Sequence, residues 1–316
     1  MQGKIIKQIS NDYTVSVNKK KYICKARGKF RNLRLTPLVG DEVIINEENY
    51  ILEILPRKNE LKRPSISNID EAIIITSLKH PDFSSNLLDK LLVVIEYNNI
   101  KPIIIFTKKD LLSKEEYESL KPYIKYYKNI GYDVYMNDEI EKISKIFKDK
   151  VSVFTGQTGA GKSTLLNKLN KNLNLKTNEI SLALNRGKHT TRHTELLEVK
   201  EGLVADTPGF SALEFNEMTN EDIRDNFIEF NKYRHDCNFN DCMHNQENKC
   251  KIKEKVEDGT IIKSRYENYL KFISRWENEN SMIIFKSARW YKKNKRIRKI
   301  YRSNTFWYYG WNIHRK

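Results

Sequence analysis

The sequence has no hydrophobic run long enough to cross a membrane, and it has only four cysteines among 316 residues. Apolar runs such as "LLVVI" and "AIIIT" fall far short of the roughly 20 residues that a spanning helix needs. The opening stretch, "MQGKIIKQISNDYTV", lacks the apolar segment of a signal peptide. We therefore expect a soluble, cytoplasmic protein.

Three of the four cysteines cluster in one short stretch, "CNFNDCMHNQENKC". Cys237, Cys242 and Cys250, together with His244, form the pattern C-x4-C-x-H-x5-C. In a protein without a secretory signal, such a cluster favours metal binding over disulfides. Three thiolates and one imidazole complete a tetrahedral zinc shell with no open position. We expect one structural Zn²⁺, with buried free thiols as the alternative.

Acidic residues are missing from residues 281–316, which hold 11 Lys and Arg and three of the four tryptophans. The formal net charge is +16, so the rest of the chain carries 16 − 11 = +5. A basic, aromatic-rich tail can grip RNA through phosphate pairing and base stacking. A disordered, lineage-specific or read-through extension is an equal alternative.

The chain is longer than the ~250 to 300 residues that one core usually serves, so we expect several domains. Residues 1–65 contain five short β-like runs and predict an OB-fold RNA-binding barrel, or a barrel that serves only for packing. Residues 66–215 alternate apolar strands with helical stretches, one of them expected over 138–149, as in an α/β domain around a parallel sheet. Residues 219–280 read as helical apart from the Cys/His stretch, which predicts a helical zinc-binding domain at 216–280, and 281–316 form the tail.

The stretch "GQTGAGKST" matches G-x-x-x-x-G-K-[ST] and lies between a strand-like and a helix-like segment, as a phosphate-binding loop requires. Backbone N–H groups and the helix dipole favour phosphates there. Lys162 is expected to reach the β- and γ-phosphates and Ser163 to ligate Mg²⁺. The nucleotide-binding residues of this loop are Gly156, Gln157, Thr158, Gly159, Ala160, Gly161, Lys162, Ser163 and Thr164.

Two downstream stretches fit the metal side of such a pocket. In "DTPG", Asp206 can hold Mg²⁺ and the Gly209 N–H can sense the γ-phosphate. In "GKHTTRHTEL", Thr190 or Thr191 is placed to reach the metal. Alone, "DTPG" is also a plausible turn. Their order after the phosphate-binding loop favours the nucleotide role.

The stretch "TKKD", upstream of the loop, predicts the base. Asp110 can accept hydrogen bonds from guanine N1–H and its 2-amino group, whereas adenine would leave the carboxylate unpaired. The stem of Lys108 can cover the purine face, and Thr107 stands where GTPases usually have Asn. Lys109 completes the motif, which on its own could be a charged turn. Its place before the loop predicts a circularly permuted GTPase domain.

Together these motifs resemble those of the ribosome small-subunit-dependent GTPase A family (RsgA, also called YjeQ or YloQ). The resemblance also includes "DGTIIKSRYENYLKF" and extends from residue 1 to about residue 275. It implies an OB-fold, a permuted GTPase domain and a zinc domain, in a bacterial GTPase that binds the small (30S) ribosomal subunit and its rRNA late in maturation. We expect a monomer with GTP or GDP, Mg²⁺ and Zn²⁺ as cofactors.

Two features qualify what the resemblance implies about the site. After "GYDVYM" the chain continues as "NDEIEKI", without the Ser-rich segment that usually completes guanine recognition. Phe210 follows "DTPG" and cannot orient the attacking water, so activation must come from elsewhere. His189 or His193 could enter when rRNA orders the loop, although either is also a plausible exposed loop residue or RNA contact.

Three other functions are compatible with parts of the sequence. An RNA-binding assembly factor could use nucleotide only as a structural clamp. A P-loop kinase or ATPase would keep the phosphate-binding loop, but "TKKD" argues against it. A purely structural zinc and OB protein would leave a complete phosphate-binding loop without a role.

Overall fold

A computed structural model of the chain describes residues 1–28, 30, 35–62, 65–170, 195–206, 215 and 217–274. The chain divides into two compact units, residues 1–270 and 271–316. In the second unit only residues 271–274 are described, and they are helical. The basic tail expected at 281–316 lies outside the described residues.

The first five strands form a closed barrel. Their order is β1-β2-β3-β5-β4, and β4 pairs back onto β1. Burial alternates along the strands, as in β2, where Tyr13, Val15 and Val17 are buried and the residues between them are not. This two-residue period fills the interior with apolar side chains. It confirms the predicted OB-like barrel, whose strands are β1 (Gln2–Ile9), β2 (Asp12–Val17), β3 (Lys20–Ala26), β4 (Glu42–Ile45) and β5 (Tyr50–Ile54).

A small hairpin that the sequence did not predict follows the barrel. It consists of β6 (Glu60–Lys62) and β7 (Ser65–Ser67), which are too short to show a strand pattern. The fully buried carboxylate of Asp41 ties the hairpin to the barrel. Arg57 donates to both of its oxygens at 2.7 Å, and the Ser67 hydroxyl donates to one of them at 2.5 Å.

The remaining strands form a sheet in the order β10-β9-β8-β11-β13-β12. All neighbours in it are parallel except β12 and β13. Strand β1 of the barrel pairs with β12 at Lys7 and Glu195, so barrel and sheet form one eleven-stranded sheet. These strands are β8 (Glu71–Ser77), β9 (Lys101–Thr107), β10 (Asp133–Met136), β11 (Val151–Gly156), β12 (Glu195–Val199) and β13 (Gly202–Asp206).

Strand order in this sheet differs from chain order. Strand β9, which ends in the Thr107 of "TKKD", precedes the phosphate-loop strand β11 in the chain. In the sheet it lies two positions away from β11, with β8 between them. Permutation changes which strands are connected without changing which strands are neighbours. The permuted arrangement expected from the motif order is therefore confirmed.

Helices cover the sheet and follow it in the chain. Serine side chains cap two of them, since Ser84 accepts from the Leu87 N–H and Ser113 forms a capping box with Glu116. Among the described residues, no helix is long and apolar enough to span a bilayer. The helices are α1 (Ser85–Tyr97), α2 (Lys114–Ile130), α3 (Ile140–Ile146), α4 (Lys162–Leu169), α5 (Asn220–Asp225), α6 (Lys251–Glu257) and α7 (residues 263–274).

Two helical predictions were too long. The helix expected over 138–149 is the shorter α3, which begins late because the Glu139 carboxylate accepts from the Met136 N–H at 2.8 Å and holds a turn there. The helical stretch expected from residue 219 stops after α5, where the Asn226 side chain donates to the Asp222 carbonyl at 2.7 Å. Beyond it lie two 3₁₀ turns, Phe230–Lys232 and Arg234–Asp236.

Buried charges join α7 to α1. Arg265 and Asp89 are fully buried and form an ion pair at 2.7 Å. Arg265 also binds both carboxylate oxygens of Glu229, one of them at 3.0 Å, and its guanidinium lies 4.6 Å from the centroid of the Phe227 ring. Because an unpaired buried charge is costly, this cluster constrains how α7 packs on α1.

We expect Asp41→Ala to destabilise the barrel end of the chain. The substitution leaves the guanidinium of Arg57, whose side chain is only 15% exposed, without its bidentate partner. Removing one member of a buried pair typically costs about 3 kcal/mol or more of unfolding free energy. Urea denaturation would measure the loss. The matched control is Glu42→Ala, which removes a neighbouring but more exposed carboxylate paired with Lys4. Equal stability of the two variants would contradict the assignment.

Candidate nucleotide pocket and metal centre

The phosphate-binding loop connects β11 to α4, as the motif predicts. Gly156 ends β11 with φ +125°, and a Cβ there would lie 1.9 Å from the Ile75 carbonyl oxygen. Gly161 immediately precedes α4 with φ +100°. Both backbone conformations favour glycine. The loop residues 156–164 therefore adopt the strand–loop–helix arrangement that a phosphate site uses.

Lys162, the first residue of α4, folds back over this loop. Its Nζ donates to the carbonyls of Gly156 at 2.7 Å and Gln157 at 2.8 Å. Burial lowers the pKa of its ammonium group to about 8. The next residue, Ser163, is only 8% exposed. The structure thus places the cation and the hydroxyl of the motif together at the start of the helix.

The "TKKD" segment lies directly against the phosphate-binding loop. The Thr107 hydroxyl, at the end of β9, donates to the Ala160 carbonyl at 2.6 Å. Lys108 has φ 60° and begins a 3₁₀ turn, Lys109–Leu111, in which Asp110 is exposed. The sequence placed Thr107 in the motif without indicating this bond. The bond joins the expected base-reading and phosphate-binding segments into one site.

Residues 78–83 form a further wall of the pocket that sequence reasoning missed. The Leu78 N–H donates to the Thr107 carbonyl at 3.0 Å, and Lys108 Nζ donates to the His80 carbonyl. Pro81 Cδ lies 3.8 Å from the position that a Cβ on Gly159 would take. No motif in this segment signals these contacts, because they depend on backbone atoms and on a neighbouring strand.

The metal side of the pocket is described only in part. Asp206 ends β13 and pairs in register with Glu195, the first residue of β12. Strand β13 is also the parallel neighbour of β11, which leads into the phosphate-binding loop. The backbone of Asp206 therefore lies at the expected edge of the sheet. The other residues expected here, His189, Thr190, Thr191, His193 and Gly209, lie outside the described residues.

The four expected metal ligands converge on one point. The ligand atoms of Cys237, Cys242, His244 and Cys250 all lie within 4.8 Å of one another. His244 Nδ1 is 3.6 Å from Cys237 Sγ and 3.3 Å from Cys250 Sγ, and these two sulfurs are 4.0 Å apart. A tetrahedral zinc with usual bond lengths separates its sulfur and nitrogen ligands by about 3.5 to 3.8 Å. The donor set and its spacing fit a zinc ion.

Burial shifts the pKa values of two of these ligands. Burial raises the pKa of the Cys242 thiol to about 12 and lowers the pKa of His244 to about 4. The imidazole is therefore neutral, as a metal ligand must be, whereas the thiol needs a nearby cation to ionise. His244 Nε2 is buried and has no hydrogen-bond partner among the described residues. The other ring nitrogen, Nδ1, is the one that faces the sulfurs, as its distances to Cys237 and Cys250 show.

Neighbouring side chains hold the ligand loop in place. The Tyr266 hydroxyl on α7 donates to the His244 carbonyl at 2.6 Å, and the Tyr269 hydroxyl donates to the Met243 carbonyl. The Glu247 carboxylate accepts from the N–H groups of Met243 at 2.6 Å and Asn245 at 2.8 Å. Such contacts around a metal site orient its ligands. The loop is thus fixed to α7 through its own backbone.

Family models match most of the chain. The model described as RsgA GTPase matches residues 54–216, and the RsgA N-terminal domain matches residues 2–51. A model described as 50S ribosome-binding GTPase matches residues 151–284. The first two matches adjoin at the end of the barrel, whose last strand ends at Ile54.

Curated relatives and a solved structure agree with these matches. The chain is 50% identical over 281 residues to Small ribosomal subunit biogenesis GTPase RsgA 2 of Oceanobacillus iheyensis, covering 86% of this chain and 96% of the relative. It is 46% identical over 294 residues to Small ribosomal subunit biogenesis GTPase RsgA of Enterococcus faecalis, covering 91% and 99%. The crystal structure of YloQ, a circularly permuted GTPase, matches with a TM-score of 0.76 and 39% identity, covering 88% of this chain and 95% of that one.

The resemblance drawn from the motifs is confirmed by the family models, by the curated relatives and by the similarity to the solved structure. The chain belongs to the RsgA GTPase family.

Proposed function

We propose that this protein hydrolyses GTP on the small ribosomal subunit and acts there in the subunit's late maturation. The observation that carries the proposal is the bond from Thr107 to Ala160, which holds "TKKD" against the phosphate-binding loop. The curated relatives, named small ribosomal subunit biogenesis GTPases, support the partner. The protein would act in the cytoplasm as a monomer, with no membrane involved.

Guanine would be read beside this bond. Asp110 is exposed at the pocket edge, where its carboxylate can accept from the two guanine donors. The Lys108 ammonium donates to the His80 carbonyl, and we propose that the stem held by this contact covers a purine face. The loop after β10, where the Ser-rich segment is missing, begins at Asn137, whose N–H donates to the Phe106 carbonyl at 2.9 Å.

Hydrolysis would occur at the other end of the pocket. Lys162 and the loop amides stabilise the charge that develops on the γ-phosphate. A bound Mg²⁺ would supply further charge stabilisation, and Ser163 and Asp206 are its expected ligands, together with Thr190 or Thr191. Gly209 would sense the γ-phosphate. We assign His189 and His193 as candidates for activating the water once rRNA orders their segment.

Zinc would have a structural role. Its four ligands, Cys237, Cys242, His244 and Cys250, leave no coordination position open for a substrate. The ion would cross-link a loop that otherwise contains mainly turns. The part of the chain around this loop, proposed as residues 216–280, would then present a rigid surface to the ribosome.

The barrel is the proposed second RNA contact. Lys20, Lys21 and Lys25 are exposed on β3, and Ile23 between them is 69% exposed. Exposed lysines suit phosphate contacts, and OB-folds commonly bind nucleic acid. We propose residues 1–65 as this domain, 66–215 as the GTPase domain and 281–316 as a basic tail that adds affinity.

GTP hydrolysis measured with and without purified small subunits tests the proposal. We expect slow turnover alone, faster multiple turnover with subunits, and loss of tight GTP binding in Lys162→Ala. Absence of repeated turnover would indicate a binding-only assembly factor instead. Stimulation by large subunits rather than small ones would contradict the proposed partner.

Base recognition has its own test. Asp110→Asn should shift preference from GTP toward XTP, because an amide reverses donor and acceptor against the base. The matched control is Asp133→Asn. Asp133 begins β10 and therefore lies at the opposite edge of the parallel sheet from "TKKD", so this variant should keep the GTP preference. Competition between GTP, XTP and ATP measures both. An unchanged preference in Asp110→Asn would mean that "TKKD" does not read the base.

Nucleotide affinity should depend on pH through Lys162. In the free protein its pKa is lowered to about 8, and a bound phosphate favours the charged form and raises it. Binding then takes up a proton, so nucleotide affinity falls as pH rises through about 8. About one pH unit or more below that value Lys162 is already charged, and its titration no longer changes the affinity. Calorimetry in two buffers of different ionisation enthalpy would detect the proton. Lys162→Arg stays charged over this range and should lose the pH dependence. A wild-type nucleotide affinity that is constant from about pH 7 to 9 would refute the role given to Lys162.

Loss of one zinc ligand should release the metal. Cys250→Ser is expected to reduce bound zinc from one per chain to near zero and to unfold the region around the ligand loop, because a structural site contributes folding free energy. Elemental analysis and limited proteolysis measure these changes. The matched control is Cys24→Ser, which alters a buried thiol in the barrel. Wild-type protein purified without chelators and found free of zinc would defeat the assignment.

A further inference from the structure

Helix α7 contacts both the zinc-ligand loop and α1. Tyr266 and Tyr269 donate to the backbone of residues 243 and 244. Arg265 and Asn268 instead reach α1, where both bind the Asp89 carboxylate at 2.7 Å. Positions three apart on a helix share a face, so each pair forms one contact surface. The same short stretch of α7 therefore contacts the metal loop and α1 through two adjacent faces.

Asn268 makes the most extensive of these contacts to the start of α1. It is 3% exposed. Its amide nitrogen donates to Asp89 at 2.7 Å and to the Ser85 hydroxyl at 3.3 Å, and its oxygen accepts from Asn86 at 3.0 Å. The bonds span the first five residues of the helix. They constrain where α1 begins.

The start of α1 in turn constrains the pocket. Its N-cap, Ser84, follows directly on residues 78–83. Within that segment the His80 carbonyl accepts from Lys108, and Pro81 lies beside Gly159. Phe83 packs on Phe106 with ring centroids 5.9 Å apart. A change in the position of α1 therefore reaches the residues proposed to hold the base.

We propose that Asn268 and Asp89 are positioning residues that couple the zinc-ligand loop to the base side of the nucleotide pocket. Through α1 they hold residues 78–83 in place and thereby set the geometry of Lys108. This route differs from one through a γ-phosphate sensor, because the base side is common to GDP and GTP. It rests on the nucleotide pocket proposed above.

Equilibrium titration of the zinc-loaded full chain with fluorescent GDP and a non-hydrolysable GTP analogue tests the coupling. Asn268→Ala should weaken both nucleotides by the same factor, about fivefold or more for a typical coupling. The matched control is Glu267→Ala, which alters an exposed residue on the same helix and should bind as the wild type does. Thermal melts and zinc content confirm that each variant is folded.

A double-mutant cycle separates positioning from a general loss of stability. Lys108→Met keeps the aliphatic stem but removes the bond to the His80 carbonyl. If Asn268 acts through that bond, adding Asn268→Ala to Lys108→Met weakens binding less than it does in the wild type. Fully additive effects would overturn the proposal, and so would unchanged GDP affinity in a folded Asn268→Ala protein.

Two further outcomes remain interpretable. If Asn268→Ala does not fold, Asn86→Ala takes its place, because it removes a single bond from the α1 side. This variant should lose less affinity than expected for Asn268→Ala, and should lose it for both nucleotides. Wild-type affinity in Asn86→Ala would count against the coupling. If the wild type binds no guanine nucleotide, the proposed pocket itself fails. If the wild type binds guanine nucleotides and the Asn268 and Asn86 variants bind them with wild-type affinity, only the coupling fails.

Discussion

The parallel register of β8, β9 and β11 is the constraint on which the nucleotide site depends. Gly156 pairs with Ile75 on one side of β8, and Ser77 at the end of β8 pairs with Thr107 on the other. Both pocket segments therefore leave the sheet at the same edge. Ligands of open α/β sheets bind beyond the carboxyl ends of the strands for this reason. Chain order is irrelevant to that geometry, which is why a permuted chain retains it.

Buried polar contacts determine which segments of the chain pack together where the apolar core does not. The paired isoleucines of β8 and β9 could be replaced by other apolar side chains of similar volume, because cores tolerate volume-conserving hydrophobic substitutions. The Asp89–Arg265–Glu229 cluster is different, because each of its charges depends on a specific partner from another segment of the chain. Such a cluster is weak evidence for stability, but a shift that separates its partners leaves a buried charge uncompensated. In this chain it restricts α7 and the metal loop relative to α1.

Sequence and structure agree best where a signal is local. The phosphate-binding loop, the five barrel strands and the four metal ligands were all predicted, because spacing and alternation over a few residues specify them. The helix at 138–149 begins later than predicted, since the Glu139 carboxylate stabilises a turn that periodicity does not reveal. The β6–β7 hairpin was missed because three-residue strands carry no period.

By itself the sequence determined which residues can carry the chemistry. Glycines mark a loop that needs positive φ, lysine and serine supply the phosphate and metal contacts, and thiols at short spacing mark a metal site. Only the tertiary structure decided how these parts act on one another. Thr107 meets Ala160 across 53 positions, and Asp89 meets Arg265 across 176. No local pattern encodes such pairs, because they form only when the sheet and helices bring distant segments of the chain together.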